Sequence, residues 1–221
     1  MEVRAAIDTR KSVRAFLDRA VLPATLHRIV EEAARAPSGG NLQPWHVDIV
    51  SGDALTRLKA TMADKLARGE REPHGYPIYP PALTSPYRDR RHAVGEAMYG
   101  ALRIAREDKA ARRRRFDDNY AFFGARDAIF CTVDRQMGPP QWSDLGMFLQ
   151  NVMLLAMDAG LATCAQECWA AYPATVTAFL GTPPERMLFC GMAIGYEDVA
   201  HPANAVRTAR ADTAEWLRVI D

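Results

Sequence analysis

Apolar residues recur with helical spacing in four parts of the chain. In the first of them they fall at i, i+3, i+4, i+7 and i+8, which marks one face of an amphipathic helix. The predicted helices cover 23–36, 54–66, 141–159 and 173–180, and Asp53 is a candidate N-cap of the second. The third is apolar around much of its circumference, so we expect it at the domain centre or at a dimer interface.

Three shorter apolar runs predict strands. Residues 45–50 alternate between apolar and polar, whereas 128–133 and 187–195 are almost continuously apolar, as buried strands are. Residues 36–45 are rich in proline and glycine and predict an ordered loop. After a polar tail, a short C-terminal helix is predicted to carry Trp216. The pattern predicts an α+β or α/β fold with three or four core strands among more helix.

Residues 69–92 show no periodicity. They contain five prolines and three tyrosines. A segment of this length in a compact domain is usually a lid, a binding loop or disordered, and the tyrosines favour order. A charged helix follows, with arginines at 112–115. Acidic residues flank this run, so it indicates a solvated helix face rather than a nucleic-acid site. We therefore predict that 68–124 is an excursion that forms a lid.

Composition and charge exclude several classes of protein. The 221 residues include 28 Lys and Arg against 27 Asp and Glu, and a net charge of +1 argues against a general polyanion binder. Charges at Glu2, Arg4 and Asp8 interrupt any signal sequence, and no run has the length of a membrane span. We therefore expect a cytoplasmic protein that binds neither nucleic acid nor membranes. The four cysteines lack metal spacing and are expected to be reduced, although a redox pair of Cys164 and Cys168 stays open.

Basic residues gather near both ends of the chain. The segment TRKSVR at 9–14 places two adjacent cations and a hydroxyl where a short helix should end, and NAVRTAR at 204–210 adds two arginines. Guanidinium and hydroxyl donors suit a terminal phosphate. The chain has no GxSxG, HExxH, P-loop or GxGxxG motif, so neither a hydrolase nor a Rossmann nucleotide site is predicted.

Six segments, in this order and spacing, resemble the FMN-dependent nitroreductase family, nearest to its nitrobenzoate-reductase-like branch. They are TRKSVRAF, APSGGNLQPW, REDKAARRRRFDDNYAFFGA, QWSDLGMFLQNVMLLAMDAGLATC, CGMAIGYED and NAVRTAR. The resemblance covers almost the whole chain and implies one α+β domain, 1–221, with a mixed sheet of four or five strands wrapped by helices. It also implies an intertwined homodimer with two FMN sites at the interface, each built from both chains.

The resemblance extends to individual residues. The family's phosphate-binding opening and tail are matched by Arg10, Lys11, Ser12 and Arg210, and more weakly by Arg207, which could instead pair with an acid. Arg14 matches a basic position near the flavin pyrimidine ring, where a cation stabilises the charge of the reduced ring. The loop along the isoalloxazine is matched by Pro37, Ser38, Gly39, Asn41 and Gln43. The segment that passes flavin N5 is matched by Ala165, Gln166 and Glu167.

Some of these positions have a simpler interpretation. Ser38 and Asn41 could be turn residues only, because Ser and Asn favour turns. Glu167 could be a surface carboxylate. Gln150 could lie near the cofactor or form a helix–helix hydrogen bond.

The resemblance implies an oxidoreductase in which NADPH or NADH reduces FMN and a small aromatic oxidant, here a nitroarene, is reduced to a hydroxylamine or amine in ping-pong order. The flavin does the chemistry, so no catalytic side chain and no metal are predicted. Rings that could stack on a flat substrate are Tyr76, Tyr79, Tyr120, Phe122 and Phe123. Alternatives are quinone or enone reduction, reductive dehalogenation, fragmentation of reduced flavin by oxygen, a non-catalytic FMN-binding protein, and a domain whose arginines are all solvated.

Overall fold

A four-stranded antiparallel sheet organises the molecule. The computed structural model describes residues 1–221 and orders the strands β1-β2-β4-β3. The strands are β1 (His46–Ser51), β2 (Asp127–Asp134), β3 (Ala162–Gln166) and β4 (Arg186–Gly195). All three strand pairs are antiparallel, and the only parallel pairing is an isolated bridge between Ser12 and Thr163. The α+β class is confirmed, and the predicted mixed character of the sheet is limited to that bridge.

Seven helices surround the sheet. They are α1 (Val3–Thr9), α2 (Pro23–Ala33), α3 (Gly52–Ala67), α4 (Tyr87–Ala101), α5 (Lys109–Asp117), α6 (Pro139–Asp158) and α7 (Pro173–Leu180). The helices predicted from apolar spacing are therefore confirmed. Ser51 rather than Asp53 occupies the N-cap of α3, and Asp53 lies in its first turn. No helix has the length and apolarity needed to cross a bilayer.

Two apolar clusters cover the two faces of the sheet. Alternation along β2 sends Ala128 and Phe130 to one cluster, with α3, α7 and the turn at 118–124. It sends Ile129, Cys131 and Val133 to the other cluster, with α2 and α6. Both faces of β2 are thus buried, which explains its unbroken apolar run. The inner face of α6 is fully covered, whereas Met147 on its outer side is 38% exposed.

Two expectations from the sequence need correction. The segment 69–92 is irregular only up to Pro86, because α4 begins at Tyr87. The predicted C-terminal helix is a single 3-10 turn at Thr213–Glu215, after which Trp216 lies 67% exposed with no apolar surface to pack against. The four cysteines, in contrast, are free as expected, and Cys164 and Cys168 form no disulfide.

Candidate functional site

The two basic ends of the chain meet at the outer edge of β3. Ser12 forms its bridge with Thr163, and Val13 donates its backbone N–H to the Thr163 carbonyl at 2.9 Å. The tail 206–210 comes to the same place. Together they form a cleft of about 510 Å³ lined by Ile7, Asp8, Arg10, Lys11, Ser12, Arg14, Gln150, Val206, Arg207, Thr208 and Arg210. Five of these side chains are basic and one is acidic, so the cleft is suited to an anion.

Arg10 is the cation in this cleft that forms the fewest polar contacts with the rest of the protein. It is half-buried, forms no ion pair, and its only polar contact is Met153 Sδ at 4.0 Å. Burial lowers the pKa of the Arg10 guanidinium, and the positive charges of Arg210 and Arg207 lower it further. Arg210 bonds only to Thr208 and Ala209 beside it. A bound dianion would remove the repulsion between these cations.

Two of the predicted phosphate ligands are already engaged by the protein. Lys11 Nζ lies 2.7 Å from Glu197 Oε1 and donates to the Asn204 carbonyl at 2.6 Å. Arg207 donates to the carbonyls of Thr9 and Asp8 at 2.8 and 2.9 Å, at the C-terminal end of α1. Carbonyls at a helix end accept such donors readily. Both residues line the cleft, but their structural contacts leave Arg10, Ser12 and Arg210 as the free donors.

Asn204 is a residue whose role the sequence did not reveal. Its side chain is 1% exposed, and its Oδ1 accepts the backbone N–H of Arg14 at 2.7 Å. Its Nδ2 donates to the carbonyls of Ala15 and Asp198, each at 2.8 Å. This amide therefore joins the tail to the N-terminal segment and fixes the backbone that carries Arg14. The sequence shows only that Asn204 begins the basic segment NAVRTAR.

Replacing Asn204 with alanine is expected to lower the free energy of unfolding by about 2 kcal/mol. The Arg14 N–H would lose its partner, whereas the carbonyls of Ala15 and Asp198 would each keep one other donor, the N–H groups of Asp198 and His201. Urea denaturation of the apoprotein measures this. Asn151→Ala is the matched control, since Asn151 donates a single bond, to the Ala33 carbonyl at 3.3 Å, and its loss is expected to cost about 1 kcal/mol. Equal losses in the two variants would contradict the role assigned to Asn204.

A second cavity, of about 610 Å³, adjoins the end of β3. Arg14 lines both this cavity and the basic cleft. The wall includes Ala165, Gln166 and Glu167, as predicted, with Glu167 exposed and Gln166 only 3% exposed. Gln166 Nε2 donates to the Asn119 carbonyl at 2.8 Å, whereas its buried Oε1 has no hydrogen-bond partner. Because Arg14 lines both spaces, one extended ligand could occupy the anion cleft at one end and this cavity at the other.

The predicted loop Pro37, Ser38, Gly39, Asn41 and Gln43 lines neither cavity in the protomer. It is built by its own contacts: Gln43 N–H donates to Ser38 Oγ at 3.0 Å, and Gly39 N–H donates to the buried carboxylate of Asp144 at 3.2 Å. Ser38 therefore closes a turn within this loop. The loop also exposes Leu42 by 53%.

The aromatic residues expected to face a substrate separate into two groups. Tyr79 lines the second cavity. Tyr120, Phe122 and Phe123 are instead at most 7% exposed, and Phe122 stacks on Trp169 with a ring-centroid distance of 4.8 Å. These three belong to the core, because the backbone turns inward through left-handed conformations at Phe122 and Phe123.

Tyr76 also differs from its predicted role. Its hydroxyl donates to the Phe189 carbonyl, and its ring packs edge-on against Trp142. Gln150, in contrast, lines the basic cleft and forms no helix–helix hydrogen bond.

Comparison with known proteins places this arrangement in a family. The model of the Nitroreductase family matches residues 7–196. The chain belongs to the nitroreductase family. Within it, the chain is 33% identical over 208 residues to a 4-nitrobenzoate reductase of Pseudomonas putida, covering 93% of this chain and 90% of that protein. It is 36% identical over 210 residues to a 4-nitrobenzoate reductase of Nocardioides sp. strain LMS-CY, covering 93% and 85%.

Solved nitroreductase structures superpose on the whole molecule. The FMN and NADPH-dependent nitroreductase NfnB from Sphigopyxis sp. strain HMH has a TM-score of 0.97 and 47% identity, with 100% of both chains covered. The FMN-dependent nitroreductase NfnB from Mycobacterium smegmatis, solved in complex with NADPH, has a TM-score of 0.93 and 31% identity, with 99% and 97% covered. The nitroreductase fold therefore includes the segment 68–124 and the C-terminal tail.

Proposed function

We propose that this nitroreductase binds FMN and uses NADPH or NADH to reduce nitroaromatic compounds. The observation that carries the proposal is the group of Arg10, Arg14 and Arg210, none of which has a carboxylate partner. All three line the anion cleft, and Arg14 also lines the larger cavity. When bound, FMN supplies the redox chemistry, receiving hydride from the nicotinamide and passing two electrons to the nitro group. The family relatives named for 4-nitrobenzoate and nitrobenzene support this substrate class.

The protein's own residues bind and orient the cofactor. Arg10, Ser12 and Arg210 are the free donors that would hold the phosphate, and a planar guanidinium can donate two hydrogen bonds to it. Arg14 reaches both cavities, so its charge can stabilise negative charge that develops on the ring. The backbone and amide at 165–167 form one wall of the ring's cavity.

A second copy of the chain would complete this site. The loop at 37–43 lies away from both cavities of its own protomer, yet it is already folded and exposes Leu42. The C-terminal residues Trp216, Leu217, Val219 and Ile220 are each at least 56% exposed, which is unusual for a chain end that has no partner. A homodimer would cover this apolar surface and bring the loop of one protomer to the cleft of the other. Analytical ultracentrifugation, which measures the mass of the protein in solution, tests whether it is a dimer.

An absorbance spectrum under anaerobic conditions tests the function. Purified protein reconstituted with FMN is expected to show flavin bands that bleach with NADPH or NADH and return when 4-nitrobenzoate is added. A protein that stays colourless with added FMN would overturn the proposal. Bands that bleach but do not return with any nitroarene would retain the flavin site and reject the substrate class.

A further inference from the structure

The arginines of the segment 68–124 differ in whether a carboxylate neutralises their charge. Most of those on α4 and α5 form ion pairs, namely Arg88 with Asp89, Arg90 with Glu215, Arg112 with Glu96, Arg113 with Asp117 and Arg115 with Asp118. Arg91 has no carboxylate partner. Its guanidinium carbon lies 3.9 Å from the centroid of the Tyr79 ring, a cation–π contact that holds the head group in place.

Arg91 also lines the cavity that includes 165–167. That cavity has two guanidinium groups, from Arg14 and Arg91, against the single carboxylate of Glu167. Its rim also includes Pro77, Ile78, Tyr79, Pro80 and Pro81, and is largely apolar where Arg91 contacts Tyr79. A rim of this kind can pack against an aromatic ring and leave a charged substituent of that ring at the guanidinium.

We propose that Arg91 is a specificity-determining residue that binds the carboxylate of an aromatic acid, so that the enzyme prefers nitroarenes with a carboxylate over neutral ones. This rests on the proposed function, because it assigns the substrate side of the same cavity. A guanidinium fork also fits the 2′-phosphate of NADPH. The adjoining proline and tyrosine surface favours an anion carried by an aryl ring. Binding of the NADPH 2′-phosphate by Arg91 is therefore one of the outcomes that the test distinguishes.

The test compares 4-nitrobenzoate with its neutral analogue 4-nitrobenzamide in the FMN-loaded enzyme. Arg91→Gln is expected to raise the KM for 4-nitrobenzoate about tenfold, because one charge-assisted contact at a solvent-exposed rim is lost. The KM for the amide should change less than about twofold. Arg88→Gln is the matched control, since it removes a charge from the same helix turn that is already paired with Asp89. It should leave both KM values unchanged.

A binding measurement separates this proposal from the proposed function. Isothermal titration of the FMN-loaded protein with benzoate and benzamide needs no turnover, and Arg91→Gln should weaken benzoate alone. If the wild type reduces neither nitro compound, the proposed function fails, and the benzoate titration still decides the role of Arg91. Equal effects on acid and amide would overturn the proposal. A rise in the KM for NADPH but not NADH, with 4-nitrobenzoate unaffected, would overturn it in favour of phosphate recognition.

Discussion

Replacing Arg10 with glutamine should weaken FMN binding by about a hundredfold, the cost of losing a charge-assisted bidentate contact to a phosphate. The same change should leave the apoprotein as stable as the wild type within about 0.5 kcal/mol, or more stable. These opposite expectations arise because Arg10 forms no ion pair, while its burial and the charges of Arg210 and Arg207 lower its pKa. The charge of Arg10 therefore slightly destabilises the folded apoprotein, and it becomes favourable only when an anion binds beside it.

Fluorescence titration of free FMN measures the affinity, and urea denaturation at fixed protein concentration measures the stability. Arg207→Gln is the matched control, because its guanidinium is engaged with the carbonyls of Thr9 and Asp8. That variant should show the reverse pattern: a loss of about 1 kcal/mol in stability and a smaller loss of FMN affinity. Unchanged FMN affinity in the Arg10 variant would remove the assignment of this cleft to the phosphate.

The main elements of the fold could be predicted because their buried positions are apolar and follow a regular spacing or a continuous run in the sequence. Helix α6 and strands β2 and β4 are apolar at the positions that the two core clusters require. Strand β3 was not predicted. Its five residues, Ala162–Gln166, have small or polar side chains, and four of the five are buried, so no alternation marks it. It becomes a strand because β4 pairs with it on one side and Ser12 bridges to it on the other.

Family motifs predicted several residues that line the two cavities. They did not show which of the predicted residues are engaged by other parts of the protein or buried in the core. Arg10, Ser12, Arg14, Arg210 and the segment 165–167 do line the two cavities. Sequence could not show that Lys11 is paired with Glu197, because the two residues are distant in the chain and meet only through tertiary structure. Phe122 was misplaced for a related reason: a left-handed backbone, which aromatic residues rarely adopt, turns its ring into the core.

Replacing Gly191 with alanine should have the largest effect on stability, lowering the free energy of unfolding by about 3 kcal/mol or more. A Cβ atom there would lie 2.4 Å from Trp169 Cδ1 and 2.9 Å from Nε1. Trp169 is fully buried and packed against Phe122 and Phe130, so its ring has no space to retreat. The backbone of Gly191 is not strained, and the absence of a side chain is what the site requires.

The same contact supports the candidate site. Gly191 pairs with Gln166 across the sheet, and Trp169 lies in the 3-10 turn that follows Gln166. The close approach lets this turn fold over the sheet and sets the position of 165–167. FMN affinity should therefore fall together with stability in Gly191→Ala. Gly95→Ala is the control, because a Cβ at Gly95 on α4 meets nothing within 4 Å, and alanine there should be neutral or stabilising by up to about 1 kcal/mol.

A double-mutant cycle keeps this prediction testable if Gly191→Ala does not fold. Trp169→Ala alone should destabilise the protein by removing the indole from the core. Combined with Gly191→Ala, it removes the Cγ, Cδ1 and Nε1 atoms that the new Cβ would meet, so the double variant should be more stable than the sum of the single losses by about 1 kcal/mol or more. Additive losses would show that the indole contact is not what excludes a side chain at Gly191. Coupling of both stability and FMN affinity would show that one glycine sets the core packing and the wall of the cofactor cavity together.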